Sequence, residues 1–386
     1  MAYYEWVITG PAASINTVTR SFNYSVGRRS PDDIAATTIG SITLKNANES
    51  TFPLTINDEV TFSFRIGLTD YAQITGRVAS MDYLDEPGTG IDSSVTVTLF
   101  NALGLQSLEE LSAASISAGT IAQQITTLNT LTTLDTNYSP FGGTSSYNMA
   151  AQTYTGSSTD YVRTLANADN AIIQCSSKTN INYFSYDYGF INPGVTVGRS
   201  ATATQLGYSD IRRRRFQKPF YNQVTVSSNA VAAQTATNAS SVAAYGKKAF
   251  NLDTFYSTTA QAADAASWYS NAWSSDAFSF EVDFVVEAQD EDVWTQAGTT
   301  TTAGIANITT FAGCLFGAFP TYLTVSYIAP GAASATTVPC ILEGVTINAT
   351  PSSTTGTIYL TPVTFYSRFI LDNTLFGILD TDRLGW

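Results

Sequence analysis

Three groups of carboxylates lie close enough in sequence to work as acid–base pairs: Asp82 with Asp85 and Glu86, Glu109 with Glu110, and Asp290 with Glu291 and Asp292. A glycoside hydrolase needs two carboxyls facing each other across a cleft, one to protonate the leaving oxygen and one to attack or to activate water. Each of these groups adjoins turn residues or a helix end, where Asp and Glu serve as solvated surface, and that is the reading adopted. Positive charge is concentrated in the run Arg212-Arg213-Arg214-Arg215, with a smaller pair at Arg28 and Arg29. Guanidinium groups fork onto phosphate or carboxylate. In a chain of net charge −13, the expected partner of these six arginines is an acidic domain or subunit rather than a ligand.

The chain has no histidine. That excludes Ser-His-Asp and Cys-His catalysis, histidine zinc sites and histidine pH switches. Cys175, Cys314 and Cys340 are far apart, show no C-x-x-C spacing and read as buried thiols. Calcium-loop, Walker and G-x-S-x-G patterns are missing from the sequence. The expectation is therefore no catalytic site, no cofactor and no metal. A tract of interleaved Asn, Tyr, Phe and Asp from Asn180 to Phe190 has the composition of a sugar- or base-stacking surface. In a chain so rich in Tyr and Phe it reads first as core and interface.

Composition sets the class. Of 386 residues, 44% are hydrophobic and only 13% charged, about half the usual ~25% charged share. Ser, Thr, Asn, Ala and Gly fill the difference, a surface solvated by hydroxyls and amides. The acidic balance argues against nucleic acid as the main binding partner, since phosphate binding rests on clustered Lys and Arg. Residues 1–6 show no basic and apolar leader, and no apolar run approaches the ~18 residues of a membrane span. A soluble protein made in a cytoplasm is expected.

The elements that must position these residues are mostly strands. Val60 to Ile66 and Val95 to Leu99 alternate apolar side chains with Thr, Ser or Arg, the period of a strand with one dry and one wet face. Residues 3–9, 17–26, 42–44 and 72–83 complete a first antiparallel β unit, closed by a short helix over 101–111. A helix is predicted within 116–134, irregular chain over 137–160, a short helix over 161–168 and a strand over 171–175. After the arginine run, strands are predicted at 221–226, 278–286, 323–328, 341–349 and 358–365, with a helix over 258–274 and a turn at 351–356.

Three stretches resemble the minor tail proteins of long-tailed bacteriophages, actinophage relatives among them, that form the tail-tip or baseplate hub. The first runs from Ser21-Phe22-Asn23-Tyr24-Ser25-Val26-Gly27-Arg28-Arg29-Ser30 into Ala36 to Asn46, followed by Asn57-Asp58-Glu59-Val60, Thr75-Gly76-Arg77-Val78 and Val95-Thr96-Val97-Thr98. The second joins Tyr221-Asn222-Gln223-Val224-Thr225-Val226 to Ala239 through Tyr245-Gly246-Lys247-Lys248. The third is the ending, Phe369 to Asp372 and Gly377 to Trp386. Residues 137–205 and 287–310 have no counterpart in the family pattern.

This resemblance implies a mainly β chain with a few helices: two tail-tube-like antiparallel β-barrel or sandwich domains and a smaller α+β middle domain. The corresponding divisions are 1–112, 113–215, 216–364 and a tail segment 365–386. It implies a structural virion protein at the distal end of the tail. A homotrimer of two-domain subunits would present pseudo-sixfold symmetry to a hexameric tube. Implied partners are further copies of the chain, tail-tube and other distal tail proteins, the tape-measure protein, and tail fibre or receptor-binding proteins. DNA would pass through an acidic lumen without specific binding. The alternative is a host-recognition module that binds cell-surface glycan.

Overall fold

The computed structural model describes residues 4–11, 15, 18–29, 38–45, 52–66, 69–84, 93–132, 137–141, 147–175, 180–184, 196–198, 205–215, 220–274, 278–287, 322–350 and 353–363. Strands predominate, with five helices among the described residues. In chain order, β1 (Tyr4–Thr9), β2 (Thr19–Gly27), β3 (Thr38–Lys45), β4 (Glu59–Ile66), β5 (Thr69–Leu84) and β6 (Ser94–Phe100) come first. Their pairing order is β1-β4-β5-β6-β3-β2, antiparallel throughout. Alternation makes this sheet one-sided. Phe22, Tyr24 and Val26 of β2 and Val95, Val97 and Leu99 of β6 are buried, while Ser25, Thr96 and Thr98 between them are partly solvated.

The chain then builds a second, finer-grained region. It contains α1 (Ala102–Gln106), β7 (Glu110–Ile116), β8 (Gly119–Thr120), α2 (Ile121–Leu131), β9 (Asn137–Phe141), β10 (Asn148–Met149), β11 (Gln152–Ser157), α3 (Ser158–Asp169), β12 (Ile172–Gln174) and β13 (Asn180–Phe184). Each helix start carries its own signal. Thr120 and Gln123 form a reciprocal capping box on α2, and Ser157 caps α3. β14 (Thr196–Gly198), β15 (Gln205–Gly207) and β16 (Asp210–Arg215) follow, then β17 (Gln223–Ser228), β18 (Gln234–Thr237), α4 (Ala239–Tyr245), β19 (Ala249–Thr254) and α5 (Thr259–Ala272). The last strands are β20 (Phe278–Glu287), β21 (Tyr322–Tyr327), β22 (Thr336–Ala349) and β23 (Ser353–Pro362).

Two hydrophobic clusters organise these elements. One fills the dry face of the first sheet and of β14, β20, β21, β22 and β23, from Ile8 and Phe62 to Phe280, Val325, Ile347 and Leu360. The other gathers α1, α2, α3, α5 and the small sheets around Leu128, Tyr161, Leu165, Val224, Ala265 and Trp273. Packing thus divides the chain differently from the boundary expected at 215/216. Residues 220–274 pack with the middle region, because β17, β18 and β19 lay Val224, Val226 and Leu252 against α5 and α3. β14 and β16, expected in the middle region, pair with β21 and β20 of the large sheet.

Three local expectations change. The predicted helix over 101–111 is shorter: Asn101 caps it, Ser107 ends it, and Glu110–Ile116 continues as a strand against β11. Within 137–160, the described residues form β9, β10, β11 and the start of α3. Their partners are remote, β9 lying parallel to β13 and β11 antiparallel to β7, so no local periodicity marks them. Of the turn expected over 351–356, residues 353–356 belong to β23, and the Thr350 amide donates to the Ser353 carbonyl at 2.8 Å.

Candidate functional site

The long strand β22 joins the two halves of the large sheet. One of its edges carries β23; the other carries β21 along 336–341 and then β2 along 344–349. Glu343 and Gly344 stand where β21 gives way to β2. The Arg28 amide donates to the Glu343 carbonyl at 2.9 Å, and its Nε donates to Glu343 Oε2 at 2.8 Å. Glu343 is fully buried and the Arg28 side chain only 10% exposed. The backbones touch here. A Cβ on Gly344 would lie 2.5 Å from the Arg28 carbonyl oxygen, and one on Gly27, at φ +78, would lie 2.2 Å from that of Glu343. Arg28 therefore does meet an acidic partner, one supplied by the distant half of the same sheet.

With the halves joined, their wet faces form one surface. Successive register pairs carry it across eight strands in the order β5-β6-β3-β2-β22-β23-β20-β16. Asp82 faces Thr96, Thr96 faces Thr43, and Asn23 lies between Ser41 and Asn348. Ser25 lies opposite Thr346, Thr346 opposite Thr357, and Thr357 opposite Asp283. Side chains bond along the row: Asn23 Nδ2 donates to Ser41 Oγ at 2.9 Å, Ser25 and Thr346 share a 3.1 Å contact, and Thr357 Oγ1 donates to Asp283 Oδ1 at 2.6 Å. Hydroxyls and amides dominate this face, with carboxylates scattered among them.

The arginine run lies at one end of it, as the strand β16 rather than as a connector. Register puts Arg212 beside Glu281 and Arg213 beside Phe280. Arg212 reaches Asp283 at 2.9 Å, Asp210 at 3.4 Å and Glu281 at 4.0 Å, while Arg214 reaches Glu281 at 3.0 Å. Arg213 points the other way, over the Tyr327 ring at 4.9 Å, and donates to its hydroxyl at 3.2 Å. Arg29 lies over the Tyr359 ring at 5.8 Å. Since Tyr359 is the register partner of Glu281, a single row runs from Arg29 through Tyr359 and Glu281 to Arg212. The side chain of Arg215 is outside the described residues.

The second family-like stretch also closes on itself in space. Asn222, fully buried, donates through Nδ2 to the Gly246 carbonyl at 2.8 Å and to Ser241 Oγ at 3.3 Å, and its Oδ1 accepts from the Lys248 amide at 2.7 Å. Asn238 caps α4, its side chain accepting from the Ser241 amide at 3.0 Å. Two motifs separated in sequence are thus one hydrogen-bonded corner that presents Tyr245, Lys247 and Lys248 to solvent.

The carboxylate groups do not form a facing pair among the described residues. Asp82 is exposed on the polar face, and Glu109 and Glu110 follow one another at the entry to β7. Asp85, Glu86 and Asp290 to Asp292 lie outside the described residues, as do Cys314 and the ending from Phe369 to Trp386. Cys175 and Cys340 are buried thiols, and burial pushes that of Cys340 well up. In the aromatic tract, Ile181 and Tyr183 belong to the core, and the Tyr183 hydroxyl donates to the Leu165 carbonyl at 3.2 Å. Residues 185–190 lie outside the described residues. Among the described residues no three His, Cys, Asp or Glu gather as a metal site, and no helix is long and apolar enough to cross a membrane. Sequence reasoning missed Glu343. Its signal was a lone carboxylate inside the apolar run Cys340-Ile341-Leu342, followed directly by glycine.

No protein-family model matches the chain, and no curated protein matches it. Solved structures do. A tail protein from Neisseria meningitidis MC58 aligns over 93% of this chain and 96% of its own, at a TM-score of 0.61 and 9% identity. The 43 kDa tail protein of prophage MuSo2 from Shewanella oneidensis aligns over 94% and 99%, at 0.57 and 11%. The chain has the fold of phage tail proteins. This tail-protein fold extends to a component of the E. coli type VI secretion system, c3393, described as structurally similar to the T4 tail proteins gp27 and gp5. That match covers 92% of this chain and 76% of c3393, at 0.50 and 11%. Near-full coverage at such low identity means that the likeness lies in strand order and packing rather than in particular side chains.

Proposed function

We propose that this chain is a structural protein of the phage tail, forming the tail-tip or baseplate hub that caps or extends the tube and docks its neighbours. Its role is assembly rather than catalysis. The carrying observation is the eight-strand polar face joined at Arg28–Glu343. Its outer strands have edges with no partner among the described residues: β16, which pairs only with β20, and residues 79–84 of β5, which run past the end of β4. A strand edge left open invites another chain. Matching edges at opposite ends of one face allow a head-to-tail ring, and six residues of β16 would meet a stretch of similar length on the next copy. On β5 the exposed Tyr83 and Leu84 offer apolar area for such a contact.

In this reading three copies form the ring, the polar face lines the channel, and the outer regions contact tube, tape-measure and fibre proteins. The channel wall differs from the acidic lumen first expected. In this reading it is a hydroxyl and amide surface on which carboxylates engage Arg212 and Arg214, so DNA slides past without a phosphate-binding array. Antibody raised against the chain and viewed on intact virions by electron microscopy tests the placement. Label confined to the distal end of the tail is the expected result. Label on peripheral fibres, or on no particle, overturns it.

A further inference from the structure

Four consecutive arginines on one strand are the strongest phosphate-binding feature of this sequence, yet register places two of them on the wet face of the large sheet. Arg212 and Arg214 are each more than half exposed, so an anion arriving from solvent meets them directly. Their donors are already turned back to the sheet. Asp210, Glu281 and Asp283 take the two guanidinium groups, leaving the cluster with one net negative charge. Asp283 is itself fixed, accepting from Thr357 Oγ1 at 2.6 Å. The Glu281 and Asp283 side chains are only 11% and 22% exposed, so solvent reaches the arginines before it reaches the carboxylates that hold them.

We infer that Glu281 and Asp283 act as a charge mask that keeps Arg212 and Arg214 from capturing duplex DNA. Each freed guanidinium adds a phosphate contact and releases a counterion, so affinity rises and its salt dependence steepens. The inference deepens the channel reading above and rests on it for its biological sense, but the masking is a property of one chain.

The test is fluorescence anisotropy with a labelled duplex of about 30 base pairs at about 50 mM salt, comparing wild type, E281Q, D283N, E281Q/D283N and E281Q/D283N/R212A/R214A. Wild type should leave the duplex free, and the double variant should bind it about tenfold more tightly or better, losing the gain by about 200 mM salt. The quadruple variant should return to the wild-type level. Each single variant should show part of the gain, which keeps the test decisive if the double variant does not fold. Wild-type binding equal to that of the double variant, no gain in any unmasked variant, or a gain that survives loss of both arginines overturns the mask. Sedimentation of the same samples separates the two readings. Rings without a DNA gain sink the mask alone, and a DNA gain without rings sinks the channel reading alone.

Discussion

The core of the large sheet is filled by Ile, Val, Leu and Phe side chains, with Tyr24 and Tyr327 as its buried tyrosines, whereas the middle region buries Tyr138, Tyr147, Tyr161, Tyr183, Tyr256 and Tyr269 with Trp268 and Trp273. Backbone accounting explains the contrast. Apart from the short β14 and β15, the strands of the large sheet run six to sixteen residues and satisfy each other's amides and carbonyls along the ladder, so the sheet can fill its dry face with hydrocarbon. The middle region is built of short strands and helices whose ends leave carbonyls over. Tyrosine hydroxyls reach them: Tyr183, Tyr269 and Tyr256 donate to Leu165, Asn167 and Ala168 in the last turn of α3. Gln124, also buried, donates to the Ser117 and Ala150 carbonyls and accepts from the Tyr161 hydroxyl at 2.7 Å. The sheet is held by its ladder and the middle by side-chain hydrogen bonds.

The largest expected effect lies where the sheet departs from that rule. Glu343→Ala leaves Arg28 buried without its carboxylate and should cost about 3–5 kcal/mol in denaturant unfolding. A loss below about 1 kcal/mol would mean that water reaches Arg28 and that the junction is not sealed. Next come the tyrosine bridges. Tyr183→Phe should cost about 1–3 kcal/mol by stranding its buried acceptors, while Thr96→Val on the polar face should stay within about 0.5 kcal/mol. Equal costs for the two would erase the proposed difference between the regions.

Alkaline pH sharpens the comparison further. Burial pushes the Tyr138 hydroxyl up to about 12 and raises those of Tyr161 and Tyr183 as well, with Asp169 adding to the latter. A raised folded-state pKa favours the neutral tyrosine. Its contribution is complete below the unfolded value of about 10 and is lost as pH climbs through the folded value. The middle region should therefore lose near-UV circular dichroism between about pH 10 and 12 while the sheet, in which burial raises Tyr24 and the Cys340 thiol but its ladder holds the strands, keeps its far-UV signal. Simultaneous loss would show that the two regions unfold as one unit. A smaller effect is expected at the α4 cap, where Asn238→Ala should cost about 1 kcal/mol. The exposed Asp160–Arg163 pair should matter least, with Asp160→Asn within about 0.5 kcal/mol.

What the sequence revealed follows the same division. In β4, β6 and β20 alternate residues such as Val60 and Phe62, Val95 and Val97, and Phe280 and Val282 meet the core, so the strands were legible from alternation alone. α2 and α5 were legible from their apolar spacing. β12 and β17 were legible too, but β9, β10 and β11 were not: β9, for one, pairs with β13 more than forty residues away and only the fold supplies that partner. Arg212 to Arg215 carry no strand signal in the sequence, although they belong to β16. A run of four like charges masks the alternation that sends Arg213 to Tyr327 and its two neighbours to carboxylates. Arg28 was flagged without its partner, since a pairing across more than three hundred residues leaves no local trace.

The central claim, that the polar face continues from copy to copy through β5 and β16, is tested most directly by the mass of the purified chain in sedimentation velocity. Wild type should run at three times the chain mass. Replacing Tyr83 and Leu84, which are 44% and 64% exposed where β5 runs past β4, by lysine should return it to a monomer with an unchanged melting temperature. A wild-type monomer at every concentration, or a trimer indifferent to the two lysines, would contradict the account.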